Sequence, residues 1–428
     1  MPGLNTTPAK KPEAKRVPPT NGAKRRSAEK KSPATESAAF SGYNIENLTR
    51  LRELFAGLRL EKRQPHPSQI APQQGAPAPK PTSSTTTTAA TTTTANPGKV
   101  QFMPLCRVED PQAIRAVGFH PSGRYFAVGT NSKQLHLFKY PDVKNIGQNP
   151  IVKTPDMLLT RPKQHRGSVY CCAFNPTGEL LASGSNDKSI RLMGFNADSC
   201  KIGAEMELTF HDGTVRDLVF IEDTTNRTSV LISGGAGNCH IHLTDCTTGQ
   251  SFKSMVGHTA PVLGLYSWGG CMFVSCSQDK TIRFWDLRSA QAVNMITPGA
   301  STTGSPVTSV AVDPGGRLLV SGHEDASIML YDISNSRVIQ IYRPHGDEVR
   351  TVRFSPGTYY LLSGSYDRKV AITDMRGDLM SPLMYLPVAE HQDKVIQCRW
   401  HPHDFSFLST SADRTAMLWV LPPPSGGQ

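Results

Sequence analysis

Histidine, serine and aspartate recur in this 428-residue chain at spacings that could in principle support nucleophilic chemistry. His258, Ser275 and Asp279 form one such set, and further sets follow the same order elsewhere. A serine activated by a histidine that a carboxylate orients is the arrangement of many hydrolases. An active site needs one such set, whereas a structural motif repeats. The recurrence therefore predicts buried hydrogen-bond networks, and we expect no catalytic residue and no enzyme activity.

These polar sets belong to a sequence repeat that begins near residue 101. Each unit has an apolar strand, a turn built on Pro-Gly or a similar pair, a second strand ending in Ser, a tight turn carrying Asp, and a third strand. One apolar position in the first strand is occupied by Ile114, Val169, Val215, Val262, Val307, Val349 and Val395. Seven units of about 45 residues favour an all-β fold of seven four-stranded sheets in a closed ring.

A closed ring needs a connection between its two ends. The segment PLCRVE, at residues 104–109, precedes the first unit and has the pattern of a strand. We predict that it forms the outer strand of the last sheet, so that the two ends of the ring pair with each other.

The units resemble the blades of the WD-repeat family, most clearly in GHTAPVLGLYSWGGCMFVSCSQDKTIRFWDL. The resemblance implies a seven-bladed WD-repeat β-propeller in which a His, a Ser, the turn Asp and a Trp form a structural hydrogen-bond network. The matching residues are His258, Ser275, Asp279 and Trp285 in the fourth blade, and His391, Ser409, Asp413 and Trp419 in the seventh. The second and sixth blades lack the Trp, the fifth lacks the His, the third has Asn238 at the Asp position, and the first has neither partner.

Residues 101–420 as a whole are similar to the C-terminal propeller of the nemitin-like family of microtubule-associated WD-repeat proteins. The segments HDGTVRDLVF and HQDKVIQCRWHPHDFSFLSTSADRT carry this similarity beyond the general WD signature. The resemblance implies a cytoplasmic scaffold of the microtubule cytoskeleton that binds microtubule-associated proteins, in neurons or in cilia. The alternative is a nuclear or ubiquitin-pathway WD-repeat adaptor.

Positive charge is concentrated in the first hundred residues. Residues 1–99 contain 16 Lys and Arg against 6 Asp and Glu, whereas the remaining residues carry 30 against 29. Composition predicts a disordered basic tail at 1–43, a disordered Pro- and Thr-rich linker at 64–100, the propeller at 101–422 and a disordered C-terminus at 423–428. The cluster at residues 24–26, Lys-Arg-Arg, suits either an electrostatic tether to an acidic polymer or a nuclear import signal.

One short stretch between the tail and the linker has an apolar stripe. Leu48, Leu51, Phe55 and Leu58 fall on one face of a predicted amphipathic helix over residues 44–63. Two heptads are marginal as an isolated helix. Two interpretations stay open: the stripe docks a protein partner, as a single helix or a short coiled coil, or the helix packs against the chain's own propeller or forms only transiently in solution.

The central mouth of the ring is the predicted docking surface, because loops from every blade converge there. In each blade, the residue after the shared apolar position should lie near this mouth. The predicted partner contacts are Arg115, Tyr170, Arg216 and Arg350, with Tyr366 beside the turn Asp of the sixth blade. The remaining blades have Leu263, Thr308 and Ile396 at the first of these positions. Three Arg and two Tyr suit an acidic peptide, unless the Arg pair with turn Asp residues of neighbouring blades.

Metal, cofactor and membrane chemistry have no support in the sequence. The nine cysteines include no CxxC pair, so we expect no zinc site and interpret the thiols as buried and reduced. No Gly-rich phosphate loop is present, so no cofactor is expected, and nucleic acid is not an expected ligand. No apolar run approaches membrane-spanning length, and no signal peptide is visible. The expected partners are proteins, with microtubules as a further candidate, and the oligomeric state stays open.

Overall fold

The computed structural model describes Thr49, Arg52, Phe55 and residues 102–143, 146–147, 150–223, 228–298, 304–357 and 359–422. Within these residues the chain forms seven four-stranded antiparallel sheets, which confirms the predicted all-β, seven-bladed propeller. The segments predicted to be disordered, 1–43, 64–100 and 423–428, lie outside the described residues.

The seven sheets, or blades, follow one another along the chain. Blade 1 contains β2 (Ile114–Phe119), β3 (Tyr125–Thr130), β4 (Leu135–Lys139) and β5 (Met157–Arg161); blade 2 contains β6 (Val169–Phe174), β7 (Leu180–Ser185), β8 (Ile190–Asn196) and β9 (Lys201–Leu208). Blade 3 contains β10 (Val215–Asp223), β11 (Thr228–Gly235), β12 (Ile241–Asp245) and β13 (Ser251–Met255); blade 4 contains β14 (Val262–Gly269), β15 (Met272–Ser277), β16 (Ile282–Asp286) and β17 (Asn294–Ile296). Blade 5 contains β18 (Val307–Val312), β19 (Leu318–His323), β20 (Ile328–Asp332) and β21 (Arg337–Tyr342); blade 6 contains β22 (Val349–Phe354), β23 (Tyr360–Ser365), β24 (Lys369–Asp374) and β25 (Met384–Glu390). Blade 7 contains β26 (Val395–Trp400), β27 (Ser406–Ser411), β28 (Thr415–Val420) and β1 (Met103–Glu109).

The ring is closed by the first strand of the propeller. The β1 strand pairs antiparallel with β28, from Met103 opposite Val420 to Glu109 opposite Thr415, which confirms the predicted closing strand. The inner strands of successive blades contact each other around the whole ring, including β26 with β2. Because the two ends of the domain share one sheet, the ring cannot open between them without breaking the β1–β28 pairing.

The hydrophobic core lies between neighbouring blades. Each of the seven blade interfaces in the described propeller has its own buried cluster, and the one between blades 7 and 1 includes Val108, Val117 and Leu408. The alternating apolar residues of each strand face the adjacent blades, because a propeller sheet is covered on both faces. The stability of each blade therefore depends on its two neighbours.

The apolar residue that defines the repeat packs against a glycine of the preceding blade. A Cβ added to Gly184 would lie 2.7 Å from a methyl carbon of Val215, closer than a real contact allows. The same close approach joins Gly129 to Val169, Gly234 to Val262, Gly322 to Val349 and Gly364 to Val395. The recurring Gly and Val of the sequence thus bring the inner strands close together.

Polar side chains on the inner strands add hydrogen bonds between blades. Each accepts a backbone N–H of the next inner strand. The bridges are Asp217 Oδ2 to Leu265 N at 2.9 Å, Ser309 Oγ to Val352 N at 3.1 Å, Thr351 Oγ1 to Cys398 N at 3.4 Å and Gln397 Oε1 to Val117 N at 3.0 Å. The last of these crosses the interface between blades 7 and 1, where the ring closes.

Replacing Gln397 tests the contribution of this closing bridge. We expect Gln397→Leu to lower the free energy of unfolding by about 1–3 kcal/mol, because the Val117 N–H would lose its acceptor inside the ring. The matched control is Gln392→Leu on the exposed surface, for which the change should stay within about 0.5 kcal/mol. Urea unfolding of both variants measures the difference, and equal stabilities would contradict the assigned role.

Candidate functional site

The mouth of the central channel contains a polar cavity lined by the inner strands. Its lining includes all seven residues that follow the repeat's apolar position: Arg115, Tyr170, Arg216, Leu263, Thr308, Arg350 and Ile396. Each comes from a different blade, because the close packing of the inner strands brings their equivalent positions together. We call this space the channel cavity. The structure thus brings the predicted first-strand residues together, and their use by a partner stays a prediction.

Two guanidinium groups stack on Tyr170. The central carbons of Arg115 and Arg216 lie 4.8 and 5.0 Å from the ring centroid, within the range of cation–π attraction. Arg115 is also oriented by its Nε, which donates to Asn131 Oδ1 at 2.6 Å. The Nε of Arg216 is buried without a hydrogen-bond partner in the described part of the chain. Burial lowers the pKa of Arg216, and the positive charges of Arg350 and Arg115 lower it further against the opposing effect of Tyr170.

Carboxylates do not neutralise these arginines. Among the described residues, Arg115, Arg216 and Arg350 form no ion pair with an acidic side chain; Arg350 Nη1 donates instead to the Thr308 carbonyl at 3.2 Å. Pairing with turn Asp residues was the alternative interpretation of the arginines. The turn Asp residues of blades 2, 4, 6 and 7 instead pair with histidines of their own blades. The arginines therefore keep their positive charge available to a ligand.

The fifth predicted contact, Tyr366, lies close enough to influence the pKa of Arg216. Its ring is contacted by Lys394, whose Nζ lies 4.7 Å from the centroid. An acidic side chain is also present here, because Glu348 lies near Arg350; burial raises the pKa of Glu348, and Arg350 opposes that rise. Tyr366 is not among the residues that line the channel cavity, and the charged groups near it have both signs.

Two further arginines line the channel cavity, and the sequence analysis missed them. Arg353 and Arg399, which we call the lower arginine pair, occupy matching positions on the inner strands of blades 6 and 7. Arg353 Nη1 donates to the Val352 and Val310 carbonyls at 2.7 and 3.1 Å, and Arg399 Nη1 donates to the Cys398 carbonyl at 3.0 Å. The available signal was an Arg at the same place in VRTVRF and VIQCRW.

Charge repulsion is evident within the lower arginine pair. Burial and the neighbouring Arg353 lower the pKa of Arg399 to about 10, so that it is still protonated at neutral pH. Asp217 is the one acidic residue that lines the cavity, among the described residues. Its two oxygens already accept the backbone N–H groups of Leu218 at 3.0 Å and Leu265 at 2.9 Å.

The recurring His, Ser and Asp form structural networks, as the sequence analysis predicted. In blade 4, His258 Nε2 lies 2.6 Å from Ser275 Oγ and Nδ1 lies 2.8 Å from Asp279. Trp285 Nε1 donates to the same Ser275 hydroxyl at 2.8 Å. Blade 7 repeats this geometry with His391, Ser409, Asp413 and Trp419, at 2.6, 2.9 and 2.8 Å. Each serine oxygen is enclosed by its network, which leaves no open side for a substrate.

The turn Asp residues are held ionised by these networks. Burial alone would raise the pKa of Asp367, but hydrogen bonds from His345 and from the Gly346 backbone lower it to about 2. The pKa values of Asp279 and Asp413 are also shifted well below their usual range, since hydrogen bonds from His258 and His391 outweigh the effect of burial. Such shifts stabilise the folded state at neutral pH.

Blades that lack part of the motif substitute other groups. In blade 5, His323 Nε2 lies 2.9 Å from Ser321 Oγ and so replaces the missing histidine from within the second strand. In blade 3, His211 Nε2 lies 2.7 Å from Ser233 Oγ, and its ring centroid lies 4.7 Å from that of His242. Burial, followed by the nearby His242, lowers the pKa of His211 to about 3. The framework is thus retained with different side chains.

Metal and membrane sites are not seen in the described residues. No group of three or more His, Cys, Asp or Glu side chains there could hold a metal ion. None of the helical residues described belongs to a helix long and apolar enough to cross a membrane. Burial raises the pKa of Cys276 and of Cys398, so that these two thiols stay protonated at neutral pH.

Phe55 occupies a buried position against the propeller, between Tyr360 and its neighbours, which we call its seat. It is helical and fully buried, and its ring stacks on Tyr360 with centroids 6.0 Å apart. Arg376 contacts the Tyr360 ring at 5.0 Å, and Phe405 packs beside it. For Phe55 the structure favours packing on the chain's own propeller over docking of a partner. Leu48, Leu51 and Leu58 lie outside the described residues, and their use by a partner stays a prediction.

The fold and site define a seven-bladed propeller with a cationic central mouth. The family model "WD domain, G-beta repeat" matches residues 157–192, 249–286, 296–332, 336–374 and 383–420. A guanine nucleotide-binding protein subunit beta of Oryza sativa subsp. japonica is 30% identical over 287 residues, which cover 61% of this chain and 73% of that protein. The chain belongs to the WD-repeat family, whose propellers are typically non-catalytic and generally bind protein partners.

Two further relatives are more distant. The nuclear distribution protein nudF of Aspergillus niger is 22% identical over 305 residues, which cover 66% of this chain and 65% of that protein. The pre-mRNA-splicing factor cwf17 of Schizosaccharomyces pombe is 25% identical over 347 residues, which cover 68% of this chain and 97% of that protein. The names of these relatives describe different processes, so the similarity establishes the family and leaves the partner to be proposed.

Substitution of Phe55 tests its seat on the propeller. We expect Phe55→Ala to lower the free energy of unfolding by roughly 3 kcal/mol, because a buried aromatic ring would leave a cavity against Tyr360. The control is Phe252→Ala, at a side chain that is 56% exposed on β13, with a change within about 0.5 kcal/mol. Denaturant unfolding monitored by tryptophan fluorescence measures both. A Phe55→Ala variant as stable as the natural chain would contradict the seat.

Acid should destabilise blade 3 through His211. The unfolded chain binds a proton at His211 as the pH falls below about 6.5, whereas the folded chain resists protonation down to about 3. The contribution of buried, neutral His211 to the free energy of unfolding is therefore complete above pH 6.5. It is lost as the pH falls, by at most about 1.4 kcal/mol per pH unit. His211→Gln cannot titrate. We expect its free energy of unfolding to fall less than that of the natural chain between pH 7 and about pH 4.5; parallel curves would contradict this assignment.

Proposed function

We propose that this protein is a non-catalytic scaffold of the microtubule cytoskeleton, whose channel mouth binds an acidic segment of a microtubule-associated protein. The observation that carries the proposal is the set of arginines at the mouth, which stack on Tyr170 or bind a carbonyl and form no ion pair with a carboxylate among the described residues. Guanidinium groups bind carboxylates through paired hydrogen bonds, and Arg and Tyr are the side chains most often dominant at protein interfaces.

The proposal assigns the chemistry to an interface because no part of the mouth is suited to catalysis. The aliphatic hydroxyls that line the cavity are engaged by backbone groups: Thr308 donates to the Gly322 carbonyl, Ser309 accepts from the Val352 N–H and Thr351 donates to the Cys398 carbonyl. The recurring serines are enclosed in their own networks. Arginines held by cation–π contacts and backbone carbonyls lose little further freedom when a ligand binds. The mouth is therefore suited to recognising an extended acidic peptide.

The microtubule assignment rests on the similarity to the nemitin-like family and on the basic first hundred residues. The net charge of +10 over residues 1–99 favours a salt-sensitive contact with an acidic polymer such as the tubulin surface. We therefore propose a cytoplasmic location on microtubules, in a neuronal or ciliary context. The residues after 99 are almost neutral, so the two parts would contribute different interactions.

A nuclear or ubiquitin-pathway adaptor is the second candidate. It is favoured by the Lys-Arg-Arg cluster at residues 24–26, which suits nuclear import. The distant similarity to a pre-mRNA-splicing factor is a further reason to test it. Imaging of the tagged full chain separates the candidates, because steady nuclear accumulation would favour the second and filamentous cytoplasmic staining the first.

The mouth is tested with the double variant Arg216→Glu/Arg350→Glu. We expect recovery of microtubule-associated partners in pull-downs to fall by about tenfold or more, because two favourable contacts become repulsive. The matched control is Arg317→Glu/Arg337→Glu, at exposed arginines away from the channel cavity, which should recover partners normally. Unchanged recovery by a folded Arg216→Glu/Arg350→Glu variant would rule out the mouth as the docking surface.

Co-sedimentation with microtubules tests the cytoskeletal assignment in the same set of proteins. The full chain should pellet with microtubules in a salt-sensitive manner. The chain lacking residues 1–43, which keeps Phe55 on the propeller, should pellet more weakly while still capturing partners. If neither form pellets and no microtubule-associated partner is recovered, the assignment fails.

A further inference from the structure

The channel cavity holds more positive charge than an acidic peptide at its mouth would need. Five guanidinium groups line it, from Arg115, Arg216, Arg350, Arg353 and Arg399. With Asp217 as the one carboxylate in this described lining, the net charge is +4. Asp217 is already engaged by two backbone N–H groups. Such a concentration of like charge opposes folding unless an anion offsets it.

The lower arginine pair is crowded by its own charge. Burial and the neighbouring Arg353 lower the pKa of Arg399 to about 10, although the negative charge of Asp217 opposes this shift. Both arginines of the lower pair line the cavity, and the hydrogen bonds that they donate to carbonyls and to Ser309 all use Nη1. Arg216 adds a buried Nε without a partner among the described residues.

The size of the cavity restricts what could enter. Its volume is about 40 Å³, which is room for about three water molecules. The three outer oxygens of a phosphoryl group would take the places of those waters. A phosphoryl group carries nearly two negative charges and three strong acceptors, so it can bind guanidinium groups that approach from several directions. A carboxylate is planar and carries a single charge, so it offsets less of the positive charge of this lining than a phosphoryl group does.

We propose that Arg353, Arg399 and Arg216 form a binding site for a phosphoryl group, supplied either as free phosphate or on a phosphorylated residue of a partner. In the second case the proposal deepens the proposed function, because the partner's acidic segment would cross the mouth and place its phosphate below. The first case does not depend on any partner. The shared chemistry is a tetrahedral oxyanion held by arginines of blades 3, 6 and 7.

The test uses the full chain and thermal unfolding in inorganic phosphate against chloride at equal ionic strength. At roughly 100-fold excess of phosphate over its Kd, we expect the Tm to rise by about 4 °C. The key variant is Arg399→Gln, which should lose this rise. Phosphate also stabilises proteins without a specific site. The Arg317→Gln variant, at an exposed arginine outside the cavity, therefore measures that background and should keep the full rise.

A second property distinguishes ligand binding from a structural role of Arg399. In chloride alone, Arg399→Gln should be as stable as the natural chain or more stable, because it removes a buried charge whose repulsion by Arg353 exceeds its attraction to Asp217. A residue needed only for the fold would show the opposite. Should this variant fold poorly, Arg216→Gln takes its place, and isothermal titration with inorganic phosphate should show one binding equivalent in the natural chain and a Kd weakened at least about tenfold in the variant.

Capped tripeptides with central phosphoserine, serine or glutamate separate the two sources of phosphate. Stabilisation by the phosphoserine peptide that requires Arg399 indicates a phosphorylated partner, and stabilisation by inorganic phosphate alone indicates the free ion. An equal Tm rise in Arg399→Gln, Arg317→Gln and the natural chain would overturn the proposal, as would a glutamate peptide as effective as phosphoserine. Loss of partner capture by Arg216→Glu/Arg350→Glu, together with phosphate binding that is indifferent to Arg399, would reject this site and leave the proposed function standing.

Discussion

The close contact between inner strands of neighbouring blades is the constraint on which the rest of this structure depends. It is made by a valine of one blade against a glycine of the blade before, as at Val215 and Gly184. Polar bridges such as Gln397 to the Val117 N–H reinforce it where the ring closes. Neither contact exists within a single blade, so an isolated blade would expose both faces of its sheet. Stability is therefore a property of the closed ring, and β1 matters because it completes that ring.

The same contact determines the functional surface. Because the seven inner strands pack tightly, the residue after each recurring apolar position lies at the mouth of the channel. Arg115, Arg216 and Arg350 are brought together for this reason, although they are separated by more than one hundred residues of sequence. Charge of one sign accumulates because each arginine is tolerated locally, through Tyr170, Asn131 or a carbonyl, without any carboxylate to neutralise it. The resulting potential is a natural attractant for anions.

How much the sequence could predict depends on whether a feature repeats. The blade number, the closing strand and the networks around Ser275 and Ser409 follow from residues that recur at fixed spacing, and the structure confirms them. Arg115, Arg216 and Arg350 could be predicted because each directly follows the apolar position that recurs in the repeat. Arg353 and Arg399 were missed because only two blades carry an arginine there, so no periodic signal marks them. His323 was missed because it enters its network from the second strand, which a linear comparison of histidine positions does not detect. The seat of Phe55 could not be chosen from sequence, since an apolar stripe suits a partner and the chain's own surface equally well.

The two kinds of polar group in this propeller have opposite effects on stability, and the difference separates framework from function. In the His-Ser-Asp networks every donor meets an acceptor, and the lowered pKa values of Asp279 and Asp413 mean that ionisation favours the folded state. In the channel cavity the pKa of Arg399 is also lowered, but for a basic group this has the opposite effect on stability. Burial beside Arg353 makes the charged form of Arg399 less favourable in the folded chain. A fold gains nothing from holding such charges close together without counterions. Groups that weaken the free protein and converge on one cavity are the ones that a ligand can stabilise, and the positive charge of this cavity is the reason for proposing an anion.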